Sequence, residues 1–95
     1  MGIYWSHYPE EDRLDLTLEG NLDLTLTRQL KEACLFVDER LQTCIIDCTR
    51  VARVFDSGKG LLLSLLKRLA QFRVRLVIIG EPPGLQLSAL SQILH

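Results

Sequence analysis

The sequence predicts an α/β sandwich in which helices pack on a mixed four-stranded sheet. Three observations lead there. Leu14, Leu16 and Leu18 alternate with Arg13, Asp15, Thr17 and Glu19, the period of two that gives a strand one buried and one wet face. Two short apolar runs, residues 43–48 and 74–79, have the length and composition of strands covered on both faces. Around them lie segments whose apolar residues recur at three- and four-residue steps, as on one face of a helix. Short apolar strands that alternate with helices pair in parallel through right-handed crossovers, and the alternating start adds an antiparallel edge.

In chain order, residues 3–8 read as a short edge strand, and Pro9-Glu10-Glu11-Asp12 as a turn. The strand over 13–19 is broken by Gly20-Asn21. Leu22, Leu24 and Leu26 continue the alternation briefly. Then Leu26, Leu30, Ala33, Cys34, Val37 and Leu41 make a helical stripe, which predicts a helix over 26–41 capped by Thr25 or Thr27. The strand over 43–48 carries one charge, Asp47. Residues 50–55 lead to a turn, Asp56-Ser57-Gly58-Lys59-Gly60. An apolar helix follows as far as Phe72, with Leu61, Leu62, Leu65, Leu66 and Leu69 in its stripe and Leu63 outside it. The strand over 74–79 closes at Gly80, Glu81-Pro82-Pro83-Gly84 is a turn, and residues 85–94 form a last short amphipathic helix. There is no linker, internal repeat or low-complexity tract, so residues 1–95 are read as one domain.

The composition, 47% apolar and 24% charged, is that of ordinary globular domains and excludes a disordered chain. No apolar run approaches the roughly 20 residues of a membrane span. Residues 1–7 lack the basic start and apolar stretch of a signal peptide. Three cysteines, Cys34, Cys44 and Cys48, are an odd count for a secreted disulfide framework. The expectation is a cytoplasmic protein with reduced thiols and no membrane insertion.

Charge is unevenly divided. Up to residue 48 there are ten acids and four bases, a balance of −6, and beyond it two acids and seven bases, a balance of +5. This hints at an anionic partner for the basic half, although two solvated faces that cross in the fold would read the same. Nucleic acid is not expected, because the pI is near 6.1, the bases are not interleaved with aromatics and no recognition motif occurs.

Catalytic and metal constellations fail on spacing. Gly58-Lys59-Gly60 is not a P-loop, since Arg53 stands where the first glycine belongs and Gly60 where Ser or Thr belongs. Cys44 and Cys48 share one strand face, but only Cys34, His7 and His95 could complete a zinc site, so buried free thiols are expected. Two histidines at the chain ends make no Ser-His-Asp set. No enzyme activity, metal or cofactor is expected.

Two segments carry a resemblance. Leu18-Glu19-Gly20-Asn21-Leu22-Asp23 resembles the turn before the first helix of STAS domains. Residues 45–58, from Ile45-Ile46-Asp47 to Asp56-Ser57-Gly58, resemble that family's central strand and phosphorylation loop. The likeness runs from about residue 10 to residue 94, in the same element order. The best-known members are anti-sigma factor antagonists, which bind a serine-kinase anti-sigma factor and lose it when the kinase phosphorylates the Ser or Thr after the Asp. The resemblance implies a bacterial partner-switching module without catalysis. Its phosphoacceptor would be Ser57, and its partner-facing residues Asn21, Asp23, Thr25, Asp56, Gly58, Lys59 and Leu63. The small STAS subunits of bacterial lipid-transport ABC complexes are as similar, and they imply an ATPase subunit as the partner instead. A homodimer is a further expectation. Lys59 and Gly60 depart from the family, which usually has a small residue and an apolar residue there.

A residue at the start of a helix sits beside free backbone N–H groups and about half a positive charge, which favours a phosphate. The modification adds about −1.5 to −2 charges, enough beside Asp56 and Asp23 to repel an acidic partner. Asp56 and Ser57 are equally good N-cap residues, and capping alone would explain either one. Gly58 and Gly60 would then serve only a tight turn. Arg50, Arg53 and Lys59 flank this loop. Phe55 and Leu63 are candidate contact residues, although core positions are the commoner place for such side chains.

Overall fold

A computed structural model describes residues 2–80. Its sheet has four strands in the order β1 (Gly2–Tyr8), β2 (Arg13–Leu22), β3 (Thr43–Val54) and β4 (Arg75–Ile79). β1 runs antiparallel to β2, and β2, β3 and β4 are parallel to one another. The connections explain this. β1 and β2 are joined by one 3₁₀ turn, Pro9–Glu11, which ends at Asp12 in the left-handed conformation (φ 50°). That tight reversal permits only an antiparallel pair. The parallel strands are joined through helices, α1 (Thr27–Cys34) between β2 and β3, and α2 (Asp56–Gln71) between β3 and β4. The expected mixed four-stranded sheet with an antiparallel edge is what the chain forms.

The register lines Leu14, Leu16 and Leu18 up with their neighbours. Leu16 lies between Trp5 and Ile46, Leu14 between His7 and Cys44, and Leu18 beside Ile3. These leucines, with Cys44, Ile46, Leu62, Leu65, Leu66 and Leu69, are almost wholly removed from solvent. Burial of each such side chain contributes about 1.5–3 kcal/mol.

Five boundaries differ from the sequence reading. The segment Asp56-Ser57-Gly58-Lys59-Gly60, expected as a turn ahead of the helix, is itself helical and opens α2. Gly20-Asn21 does not break β2. The strand passes through it with register shifts against β3, and Gly20 adopts φ +81°, a bulge in place of a stop. α1 ends at Cys34, not at residue 41. Beyond it the backbone tightens to three-residue hydrogen bonds, Phe36 to Ala33 and Val37 to Cys34. The Asp38 carboxylate then accepts the N–H groups of Arg40 and Leu41, an alternative to helical bonding that Asp offers readily. Val37 and Leu41 are buried from this irregular segment, which preserves their helical spacing without a helix. β3 continues to Val54 instead of ending at residue 48, and only its alternate residues Cys44, Ile46 and Cys48 are buried. Among the described residues β4 lies at the edge of the sheet, none of its residues is fully buried and Ile79 is exposed, so it is not a strand covered on both faces. The turn and helix expected over residues 81–94 lie outside the described residues.

Candidate functional site

β2 and α2 meet at one end of the sheet. The N–H of Phe55, the residue before α2, donates to the carbonyl of Leu22, the last residue of β2, at 3.0 Å. Three residues on, Gly58 is buried against the same carbonyl, and a Cβ there would stand 2.1 Å from its oxygen. Only a hydrogen fits, so Gly58 clamps the first turn of α2 to the bend beyond β2. Asp23, Leu26, Leu61 and Leu62 line a narrow crevice at this junction with Gly58 and Leu22. The two segments singled out in the sequence, 20–25 and 56–63, therefore share one corner of the molecule.

Within that corner each residue has a definite place. Asn21 is half-buried in the β2 bulge, in register with Arg53 of β3. Asp23 caps a 3₁₀ turn, Leu24–Leu26, by accepting the Thr25 N–H at 2.9 Å. The same oxygen accepts the Thr25 hydroxyl. The hydroxyl first, and the N–H second, hold the Asp23 carboxyl below the ordinary aspartate range. Thr25 itself is exposed. Asp56 is fully exposed, with its carboxylate 3.9 Å from the Lys59 ammonium, a surface pair that stabilises little. Leu63 is half-buried. Gly58 is the one expected contact residue that lies beneath the surface; it shapes the corner without presenting a face.

Ser57 is the second residue of α2 and is half-buried. The capping role weighed for Asp56 and Ser57 is not realised. The N-cap is Phe55, in extended conformation and without a side-chain cap, and both residues lie inside the first turn. No hydrogen-bond partner for the Ser57 hydroxyl is found among the described residues. The first-turn N–H groups lack intrahelical acceptors, as at any helix start, and α2 is sixteen residues long.

Leu24 was missed by sequence reasoning. It continues the alternation of Leu22 and Leu26 in the sequence, yet the 3₁₀ turn carries it outward to 65% exposure. Asp23 bonds the backbone two residues on, as Asp does in turns, and this holds Leu24 in the 3₁₀ turn. The same pattern recurs at Asp47-Cys48-Thr49, where the Asp47 carboxylate accepts the Thr49 N–H at 2.9 Å and its hydroxyl at 2.6 Å. Phe55 adds a second apolar side chain, 39% exposed, with the Arg53 guanidinium 5.2 Å from its ring centre. Arg50 turns elsewhere, to Glu19 at 3.5 Å. The bases around the loop thus have separate intramolecular partners and form no single basic patch.

Among the described residues, no group of His, Cys, Asp and Glu gathers as a metal site, and no helix is long and apolar enough to cross a membrane. No family model and no curated protein matches the sequence. Solved structures do match. One is the anti-sigma factor antagonist SpoIIAA in its unphosphorylated form, at a TM-score of 0.66 and 20% identity over 85% of this chain and 74% of that one. Another is Mglu, at a TM-score of 0.70 and 23% identity over 87% of this chain. A native form of Mglu gives 0.65 and 18% over 85%. This chain spans only about a fifth of Mglu's length. The likeness to SpoIIAA extends over most of both molecules, and it gives this chain the STAS fold.

Proposed function

We propose that the chain is a non-catalytic interaction module of the anti-sigma factor antagonist kind, which binds a serine-kinase anti-sigma factor in the cytoplasm and is released by phosphorylation of Ser57. One observation carries this reading. Ser57 sits uncapped and half-exposed on the first turn of α2, and the Leu22–Gly58 contact fixes that turn beside the bend that holds Asn21, Asp23 and Thr25. The partner surface is formed by these residues with Asp56, Lys59 and Leu63, and the exposed Leu24 and Phe55 are its apolar anchors. Aromatic and apolar anchors ringed by polar groups are the usual makeup of a binding hot spot.

Phosphorylation would place about −1.5 to −2 charges between Asp56 and Asp23. The N-terminus of α2 would stabilise that phosphate locally, and an acidic partner facing the corner would be repelled. Lys59, already near Asp56, is a cation within reach of the same corner and would hold the phosphorylated state in place.

The test is affinity purification of the full chain from its native host, with mass mapping of Ser57 in the presence of the captured partner and ATP. Recovery of a serine kinase and phosphate on Ser57 supports the reading. Recovery of an ABC transporter ATPase with Ser57 unmodified would replace it with an accessory-subunit role. A homodimer at this corner would show as self-capture.

A further inference from the structure

We propose that the groove between α1 and α2 is a second docking surface, and that its occupant is an amphipathic helix of another protein with acidic side chains beside its apolar stripe. The proposal is independent of Ser57 phosphorylation. Leu30 and Cys34 of α1 and Leu61 and Leu65 of α2 give the groove an apolar lining. Leu35, another lining residue, is 78% exposed, the highest value among the large apolar side chains of the described residues. A cleft between two helices has the shape that seats a third, with anchors at i, i+3, i+4 and i+7.

The charges select the partner. Lys31 from α1 and Arg68 from α2 also line the groove, and neither pairs with a carboxylate among the described residues. The acid nearest in sequence, Glu32, is taken by Arg28 at 3.4 Å. Arg68 donates to the Val37 carbonyl at 3.4 Å, and its guanidinium lies 5.5 Å from the centre of the Phe72 ring, so its charge is held in position. An apolar floor with two cations that have no carboxylate partner among the described residues is complementary to an apolar helix with flanking carboxylates. Residues 81–95 of this chain contain one acid, Glu81, against the two cations of the groove. A flat anionic membrane is disfavoured because a planar surface does not enter a cleft between two helices.

The probes are a 16-residue helical peptide of leucine, alanine and glutamate, its counterpart with lysine for every glutamate, and vesicles of anionic phospholipid, each titrated into the isotope-labelled full chain. The glutamate peptide is expected to shift the Leu30, Leu35 and Leu61 amides saturably, and Lys31→Glu to weaken it roughly tenfold, as loss of a complementary charge does. In the Lys31→Glu, Arg68→Glu double variant the lysine peptide becomes the tighter binder. Lys31 is exposed, so the single variant decides the matter even where the double variant fails to fold. Equal binding of both peptides, no saturable shift, shifts confined to the Ser57 corner, or a response to vesicles alone would each overturn the proposal.

Discussion

Gly58 packs so closely on the Leu22 carbonyl that a Cβ would stand 2.1 Å from the oxygen and 2.5 Å from the carbonyl carbon. The obstacle is backbone, and it is fixed further by the Phe55 N–H bonded to the same oxygen at 3.0 Å. Gly58→Ala gains about 1 kcal/mol of helix propensity, but the clash must push α2 away from β2. A net loss of about 1–3 kcal/mol is expected, the cost of overpacking. Gly60, two residues on in the same helix, has nothing within 4 Å of the corresponding position. Gly60→Ala should therefore stabilise by about 0.5–1 kcal/mol. Thermal unfolding of the pair checks this, with roughly 4–8 °C of midpoint shift per kcal/mol for a domain of this size. The two alanines should move the midpoint in opposite directions.

The contrast between these glycines also marks the limit of sequence reading. Period-two leucines identified β2, because alternation depends only on neighbours in the chain. The mixed sheet followed from element order for the same reason. Gly58 and Gly60 look alike in the sequence, since what separates them is a carbonyl thirty-six residues away at Leu22. Val37 and Leu41 kept helical spacing without a helix, because burial constrains where side chains point and Asp38 decides the backbone locally. Leu24 shares the alternation of Leu22 and Leu26 in the sequence, yet the 3₁₀ turn capped by Asp23 puts it into solvent. The corner was legible through its Asp-Ser-Gly and Gly-Asn-Leu-Asp segments, whereas its apolar exposed side chain was not.

Substitutions at Ser57 are expected to separate stability from binding. It does not cap α2, so Ser57→Ala should leave the unfolding midpoint almost unchanged, unlike loss of a true N-cap, which costs about 1 kcal/mol. Ser57→Asp places a negative charge in the first turn of α2, where the helix dipole stabilises by about 0.3–1 kcal/mol. The aspartate variant should therefore be as stable as the parent or slightly more so, yet bind the captured partner weakly, while the alanine variant binds as the parent does. Denaturation curves and a pull-down on the same three proteins measure both. Equal binding of all three would remove Ser57 from the interface.

Asp23 should titrate below the ordinary aspartate range because it accepts both Thr25 donors. Thr25→Val deletes the hydroxyl, the larger cause, and keeps the N–H. The carboxyl of Asp23, followed by NMR against pH, should then titrate higher than in the parent. A depressed folded-state pKa stabilises only while the carboxylate is ionised. The stability difference between parent and Thr25→Val should thus be complete above the unfolded aspartate pKa, near 3.9, and close as pH falls through the lower folded value. A difference that persists unchanged in acid would mean that the hydroxyl acts through packing.

The three thiols should differ sharply in reactivity. Cys44 is fully buried, and burial first, then the Asp15 charge and the neighbouring Cys34, push its pKa up to about 12. Cys48 is 3% exposed. Thiolate is the reactive form, and both of these residues are buried. Cys34 is only half-buried, and although burial raises its pKa as well, the nearby Arg68 opposes that rise. At pH 8 a thiol reagent should therefore modify Cys34 alone, slowly, with Cys44 and Cys48 following only at the rate of global unfolding, as peptide mass mapping would show. Urea should bring all three to equal reactivity, and Cys34→Ser should leave the folded chain inert. Because Cys34 lines the α1–α2 groove, the glutamate peptide should slow its modification and the lysine peptide should not, which ties thiol chemistry to occupancy of that groove.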